Sequence, residues 1–198
     1  MNTFPHQLLG IFFLLFIKIV DAQEYQLTIL PESSILLRGH SNVNKFTFTY
    51  EKALKLGSSS IKATTTNKNI LNIKNAELDA EVTAFSSGSN LMDRDYRNMM
   101  NYRAHPHISI ALHQINFLKN YSDDSGTAQA LVNITIAGEK RLDTLQFNYS
   151  KVKGIYSCSS SHQISLRDYK IKPLKKMMGL ISLKDQLTVD MIIYFKVD

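Results

Sequence analysis

Tryptophan is absent from this chain, and cysteine occurs once, at Cys158, in 198 residues. A lone thiol excludes an internal disulfide framework and any multi-cysteine zinc or iron–sulfur site. Only 4 prolines and 8 glycines are present, too few for a collagen-like or low-complexity chain. Wholesale disorder is excluded as well, because 44% of the residues are hydrophobic and 20% charged, the balance of a chain that buries a core. Also missing is a basic stripe interleaved with aromatics, so the net charge of +6 implies no nucleic-acid partner. The lysines are scattered, and only Lys170-Ile-Lys172-Pro-Leu-Lys175-Lys176 is dense. A solvated face accounts for that cluster, with weak attraction to an anionic lipid surface as the alternative.

The one long hydrophobic run is Leu8 to Val20, LLGIFFLLFIKIV. Its length suits a signal peptide better than a membrane span. Small or branched residues at Val20-Asp21-Ala22 place the expected cleavage after Ala22. Lys18 inside the run, and the lack of Lys or Arg before it, leave an uncleaved anchor open. With residues 1–22 removed, the remainder is expected to be periplasmic or secreted and soluble, with no stable membrane insertion. Its length suffices for one sound core.

Past residue 24 the dominant period is two. Phe46-Thr-Phe48-Thr-Tyr50, Ile108-Ser-Ile110-Ala-Leu112, Val132-Asn-Ile134-Thr-Ile136 and Leu145-Gln-Phe147-Asn-Tyr149 all alternate apolar with polar residues. Leu187-Thr-Val189-Asp-Met191-Ile-Ile193-Tyr-Phe195 carries five apolar residues on one parity. Such alternation marks strands with one buried face. Further strands are expected over 25–30, 35–39, 60–65, 77–85 and 155–166. Between them stand turn residues, such as Gly57-Ser-Ser-Ser60, Asp123-Asp-Ser-Gly126, Gly138-Glu-Lys140 and Lys153-Gly154. Many short strands in succession predict an antiparallel sandwich or barrel. One stretch differs: Leu91-Met92, Tyr96 and Met99-Met100 recur at helical spacing. A helix is expected near residues 90–102, capped by Asn90, with Asp93 in its first turn and His105-Pro106 ending it.

Four segments, in order, resemble the YceI-like family. Ser33-Ser34-Ile35 with Gly39-His-Ser-Asn-Val-Asn44-Lys-Phe46 is similar to its opening strands. Met92-Asp-Arg-Asp-Tyr96 through His105-Pro106-His-Ile108-Ser-Ile110 resembles its central helix and following strand. Val132-Asn-Ile134-Thr-Ile136-Ala-Gly138-Glu-Lys140 resembles its hairpin, and Leu166-Arg-Asp168-Tyr169-Lys-Ile171 its Arg-x-Asp-Phe-Gly-Ile motif. Three departures are visible: Lys170 stands where the family often has Gly, Glu139-Lys140 where small residues or Thr are commoner, and Ala111 at a frequent Phe position. The resemblance implies an all-β fold over residues 23–198, an eight-stranded antiparallel lipocalin-like barrel. It also implies an apolar lumen that holds a polyisoprenoid chain.

Strand parity assigns the lumen side. Its apolar members are Phe46, Phe48, Ile108, Ile110, Leu112, Val132, Ile134, Ile136, Phe147, Val189, Met191 and Ile193, and these are the expected ligand-cavity residues. Facing Thr47, Asn133, Thr188 or Asp190 inward instead would bury polar groups without partners. A bulge inverts the list for any strand it interrupts.

The other chemistry-bearing residues are better explained structurally. His105, His107 and His113 lack a convergent carboxylate, and along a strand His113 lies about 20 Å from His107, too far to share an ion. Asp93 and Asp95 point to different helix faces. Cys158 has no base beside it, since His162 shares its parity but not its vicinity. Arg167 and Asp168 are expected to be structural, fixing the barrel mouth or the approach of the 172–180 loop. No catalytic residue, metal or cofactor is therefore expected, beyond a bound isoprenoid lipid. The leading expectation is an exported, non-enzymatic lipid-binding protein, either a carrier or a sequestering protein. The alternative is an envelope interaction or structural protein with a filled barrel core, whose support is the Lys175-Lys176-Met177-Met178 loop. A homodimer is left open.

Overall fold

The computed structural model describes residues 23–122, 124–176 and 179–197. The signal-like segment 1–22 and Met177-Met178 lie outside the described residues. The chain runs through β1 (Gln23–Ile29), β2 (Ser34–His40), β3 (Lys45–Tyr50), β4 (Lys55–Leu56), β5 (Ser60–Asn67), β6 (Ile70–Glu81) and β7 (Phe85–Ser86). Helix α1 (Asn90–Met99) follows, then β8 (His107–Ser122), β9 (Ser125–Ile136), β10 (Glu139–Val152) and β11 (Ile155–Ser165). A small hairpin, β12 (Lys175–Lys176) and β13 (Ile181–Ser182), precedes the long final strand β14 (Gln186–Val197).

Eight strands close a ring in the order β1-β5-β6-β8-β9-β10-β11-β14, with β14 returning to β1. Every pairing is antiparallel, so the fold is all-β and barrel-like, as the alternation implies. β14 is the seam. One of its edges pairs with β11, while the other is shared by β2 at Thr188–Ile192 and β1 at Phe195–Val197. At the β1 end the ring shuts onto β5. At the β2 end the sheet runs on instead into β3 and β7, and α1 lies against this splayed end.

Two tight hairpins fix the register of the wall. Ile136 pairs with Glu139 and Val152 with Ile155, leaving two-residue loops at Ala137-Gly138 and Lys153-Gly154. All four loop residues have positive φ (50°, 83°, 50° and 80°), the signature of type I′ turns whose twist matches that of the flanking strands. β8 carries three bulges against β9, after Leu112, Phe117 and Asn120, which parity alone cannot place. Leu112 pairs with Val132 but Gln114 pairs with Leu131, so His113 is the extra residue and the inward set resumes at Ile115 and Phe117. β6 is bulged between Asn72 and Ala76, where Asn75 has φ 65°. That irregularity breaks the alternation, and the strand begins at Ile70 rather than near Glu77.

Strand β9 shows the pleat most clearly, with every second residue from Gly126 to Ile136 buried. Its inward side grades from Gly126, Ala128 and Ala130 to Val132, Ile134 and Ile136. The small residues admit aromatic neighbours: Phe117 and Phe147 flank Ala128 on either side, and the rings of Phe117 and Tyr149 meet edge-on at 5.5 Å. A Cβ at Gly126 would lie 2.2 Å from the Lys119 carbonyl and 2.6 Å from the Tyr149 hydroxyl. Glycine is required there by close approach, not by backbone conformation.

Candidate functional site

Helix α1 is one turn shorter than its apolar stripe suggests, and its ends explain why. Ser89, not Asn90, is the N-cap, its hydroxyl accepting from the Met92 amide at 3.5 Å. The helix stops at a Schellman motif: the Asn101 amide donates to the Asn98 carbonyl, the Tyr102 amide to that of Arg97, and Asn101 takes φ 51°. Termination thus precedes His105-Pro106. Asp93 is buried and ties the helix to the preceding loop. Its carboxylate accepts from the Ser87 amide (2.7 Å), the Ser87 hydroxyl (2.6 Å) and the Ser86 hydroxyl (3.1 Å). Burial alone would raise its pKa, but these hydrogen bonds, aided by Arg97, outweigh burial and hold the carboxyl below its usual range.

All twelve expected cavity residues belong to the buried core or pack against it. They do not share one cavity. Ile108, Ile110, Ile134, Ile136, Val189 and Met191 line a void inside the barrel of only about 60 Å³. Phe46 and Phe48 line a second, larger cavity of about 320 Å³ outside the ring, between α1, the β2–β3 hairpin and the side chains of Leu174, Ile181 and Leu183. Leu112, Val132, Phe147 and Ile193 touch neither and fill the wall. The lumen itself is therefore nearly solid, whereas the groove at its mouth has the volume of a ligand site.

The two cavities meet at Leu37, Tyr96 and Leu187, which line both. Tyr96 is 4% exposed, with its ring 4.7 Å from that of Phe48 and 5.9 Å from that of Phe85. Its hydroxyl is buried and has no hydrogen-bonding partner among the described residues, and burial pushes its pKa up. From the helix, Leu91, Met92 and Met99 add apolar lining to the groove. Leu91 is 55% exposed, and Val43 across the groove is 57% exposed. The sequence shows a helical stripe at Leu91-Met92, Tyr96 and Met99-Met100 that was assigned no part in a site. Its width was the available signal, since two adjacent apolar pairs flanking one tyrosine exceed what a single buried face needs.

The remaining candidates disperse. His107 Nδ1 lies 3.0 Å from Asp79, His113 Nε2 lies 2.7 Å from the Asn133 amide nitrogen, and the His105 ring sits where a Gly138 Cβ would point. Among the described residues no three His, Cys, Asp or Glu side chains gather as a metal site. Cys158 faces inward and burial pushes its thiol up to about 12. His162 pairs instead with Asp143 at 2.8 Å, bordering the small void. Arg167 and Asp168 form a short 3-10 turn with the fully buried Leu166. The Arg167 amide and the Ser165 hydroxyl donate to Asp185 at 3.0 and 2.6 Å, fastening this turn to the start of β14. Two of the sequence departures meet here: Lys170, at φ 56°, reaches Glu139 at 2.8 Å.

No protein family matches the sequence, and no curated protein matches it. Solved structures do match the fold. BcnA of Burkholderia cenocepacia superposes with a TM-score of 0.61 at 8% identity, covering 82% of this chain and 95% of that one. A polyisoprenoid binding domain from Saccharophagus degradans, implicated in plant cell wall breakdown, gives 0.58 at 9% identity over 88% of this chain and 98% of that one. Both likenesses are of fold alone, spanning nearly the whole of each relative. With its eight-strand ring and helix-covered mouth, the chain shares the barrel fold of these two proteins.

Proposed function

We propose that this protein binds, without catalysis, an apolar tail of polyisoprenoid type, and that the tail lies in the groove between α1 and the β2–β3 hairpin. The supporting observation is that groove: an apolar cavity of about 320 Å³ that shares Leu37, Tyr96 and Leu187 with the void inside the barrel. It is lined largely by Phe, Leu, Ile and Met side chains, which attract hydrocarbon without directional contacts. Each buried methylene contributes about 0.8 kcal/mol, so a tail of about a dozen carbons binds well through burial alone. The polyisoprenoid binding of the Saccharophagus degradans domain supports the ligand class. The apolar run 8–20 supports export, to a periplasm or beyond the cell, in a carrier or sequestering role. Native mass spectrometry of protein purified without unfolding tests this reading. A co-purifying lipid, or uptake of an added prenyl lipid, is expected; a bare protein that takes up none overturns it.

A second reading is favoured by one observation, the 60 Å³ void. A barrel so filled suits an envelope interaction protein whose exposed Val43, Leu91 and Leu180 meet a partner rather than a lipid. Uptake of prenyl lipid in the same experiment separates the two.

A further inference from the structure

A buried tyrosine hydroxyl ordinarily finds a hydrogen-bonding partner, because leaving it unpaired forfeits the water it gave up. Tyr96 departs from that rule at the one place where the groove and the void meet. A trapped water is a poor partner there. Such a water needs two to four polar contacts, and apart from Tyr96 the void's wall offers only Tyr169 and His162, the latter already engaged with Asp143. The charge pattern is equally informative. No Lys or Arg among the described residues lines either cavity, so a phosphate or carboxylate entering here would lose its hydration without a cation to replace it.

We infer that the ligand carries a small uncharged hydrogen-bonding group, an alcohol, carbonyl or amide, which pairs with the Tyr96 hydroxyl while the apolar tail lies along the groove. The inference rests on the lipid-binding reading above and narrows it to uncharged amphiphiles. The void behind Tyr96 admits a compact head group and excludes a bulky one. Tyr96 is then the residue that selects among ligands of equal tail length.

Farnesol, the matching hydrocarbon farnesene and farnesyl phosphate serve as probes, titrated against wild type and Tyr96→Phe. Wild type is expected to bind farnesol about tenfold more tightly than farnesene, as one buried hydrogen bond allows, and farnesyl phosphate least tightly. In Tyr96→Phe the preference for alcohol over hydrocarbon is expected to vanish while farnesene affinity is kept. A farnesol preference that survives in Tyr96→Phe, or no preference in wild type, overturns the inference and leaves the lipid-binding reading standing. If wild type binds none of the three probes, that reading fails and carries the inference with it. The ligand-free proteins give an independent measure. Tyr96→Phe is expected to melt at or above the wild-type temperature, because it removes an unpaired buried hydroxyl. A loss of several degrees means that the hydroxyl has a partner in the free protein, which overturns the inference.

Discussion

The far end of the barrel and its helix-covered mouth are built from the same residue types, yet half-buried aromatic pairs close the far end whereas the mouth opens on a cavity. At the far end Phe117, Phe147 and Tyr149 pack over Ala128 and Gly126, and Tyr156 stacks on Phe195 with ring centroids 5.3 Å apart. At the mouth Leu91, Val43 and Leu180 are exposed, and Phe46 and Phe48 face a cavity of about 320 Å³. The difference lies in strand connectivity. A ring strand has a neighbour on each edge and a wall opposite, so an inward side chain always meets other atoms. At the mouth β2 leads away to β3 and β7 instead of returning to β5. The helix that covers this end buries Tyr96 and Met100 but leaves the flank with Leu91 and Met92 open.

The sharpest way to break this comparison is to place a carboxylate on each side of it. Ile134→Asp puts an unpaired charge where the residue is 5% exposed and is expected to cost several kcal/mol, enough to unfold much of the protein, in a denaturant titration. Leu91→Asp, in the groove at 55% exposure, is expected to change stability by about 0.5 kcal/mol or less while abolishing prenyl-lipid uptake. Equal damage to stability at both positions would show that the groove is core and not a site.

A smaller effect concerns how the helix is held. Asp93→Asn removes the charge that accepts three hydrogen bonds, and a loss of about 2 kcal/mol at neutral pH is expected. The sign with pH follows from the direction of the shift. The folded carboxyl titrates below its unfolded value, so its contribution is present above pH ~4 and is lost as pH falls through the lower, folded value. The gap between wild type and Asp93→Asn should therefore narrow on acidification below pH ~4. Glu81 and Asp190 are shifted the same way by Lys52 and Arg38, which is why the difference between the two proteins, and not the slope of either, is the quantity to measure.

Smaller still is Lys170→Gly. The left-handed backbone there favours glycine, while the exposed bridge to Glu139 contributes little. A net gain of about 0.5 kcal/mol is expected, read as a slightly higher melting temperature. Last comes Thr188→Asp, on the outer face opposite Arg38, where a change within about 0.5 kcal/mol is expected in the same assay.

Much of the wall was legible residue by residue. Phe46 to Tyr50 and Val132 to Ile136 alternate without interruption, and their apolar residues lie on the more buried side. The turn at Lys153-Gly154 was legible because only certain residues tolerate positive φ. Where a bulge intervenes the alternation misleads. β8 inserts His113 against β9 and β6 inserts two extra residues between Asn72 and Ala76 against β8; no local preference announces either, since a bulge is stabilised by its partner strand. The site was legible only in part. Six of the twelve expected residues border the void and two the groove, but Tyr96, Leu37 and Leu187, which join the two cavities, were not among them.

By itself the sequence determined most of the strands, the inward faces of those without bulges, the tight turns and the helix, because each follows from side-chain periodicity and backbone preference within a few residues. Only the tertiary structure decided where space remains. The size of the void depends on how side chains from strands far apart in the sequence meet across the ring. The groove exists because β14 shares one edge between β1 and β2, leaving the β2 end splayed. The unpaired hydroxyl of Tyr96 is of the same kind, a property of everything packed around it and of nothing in its own segment.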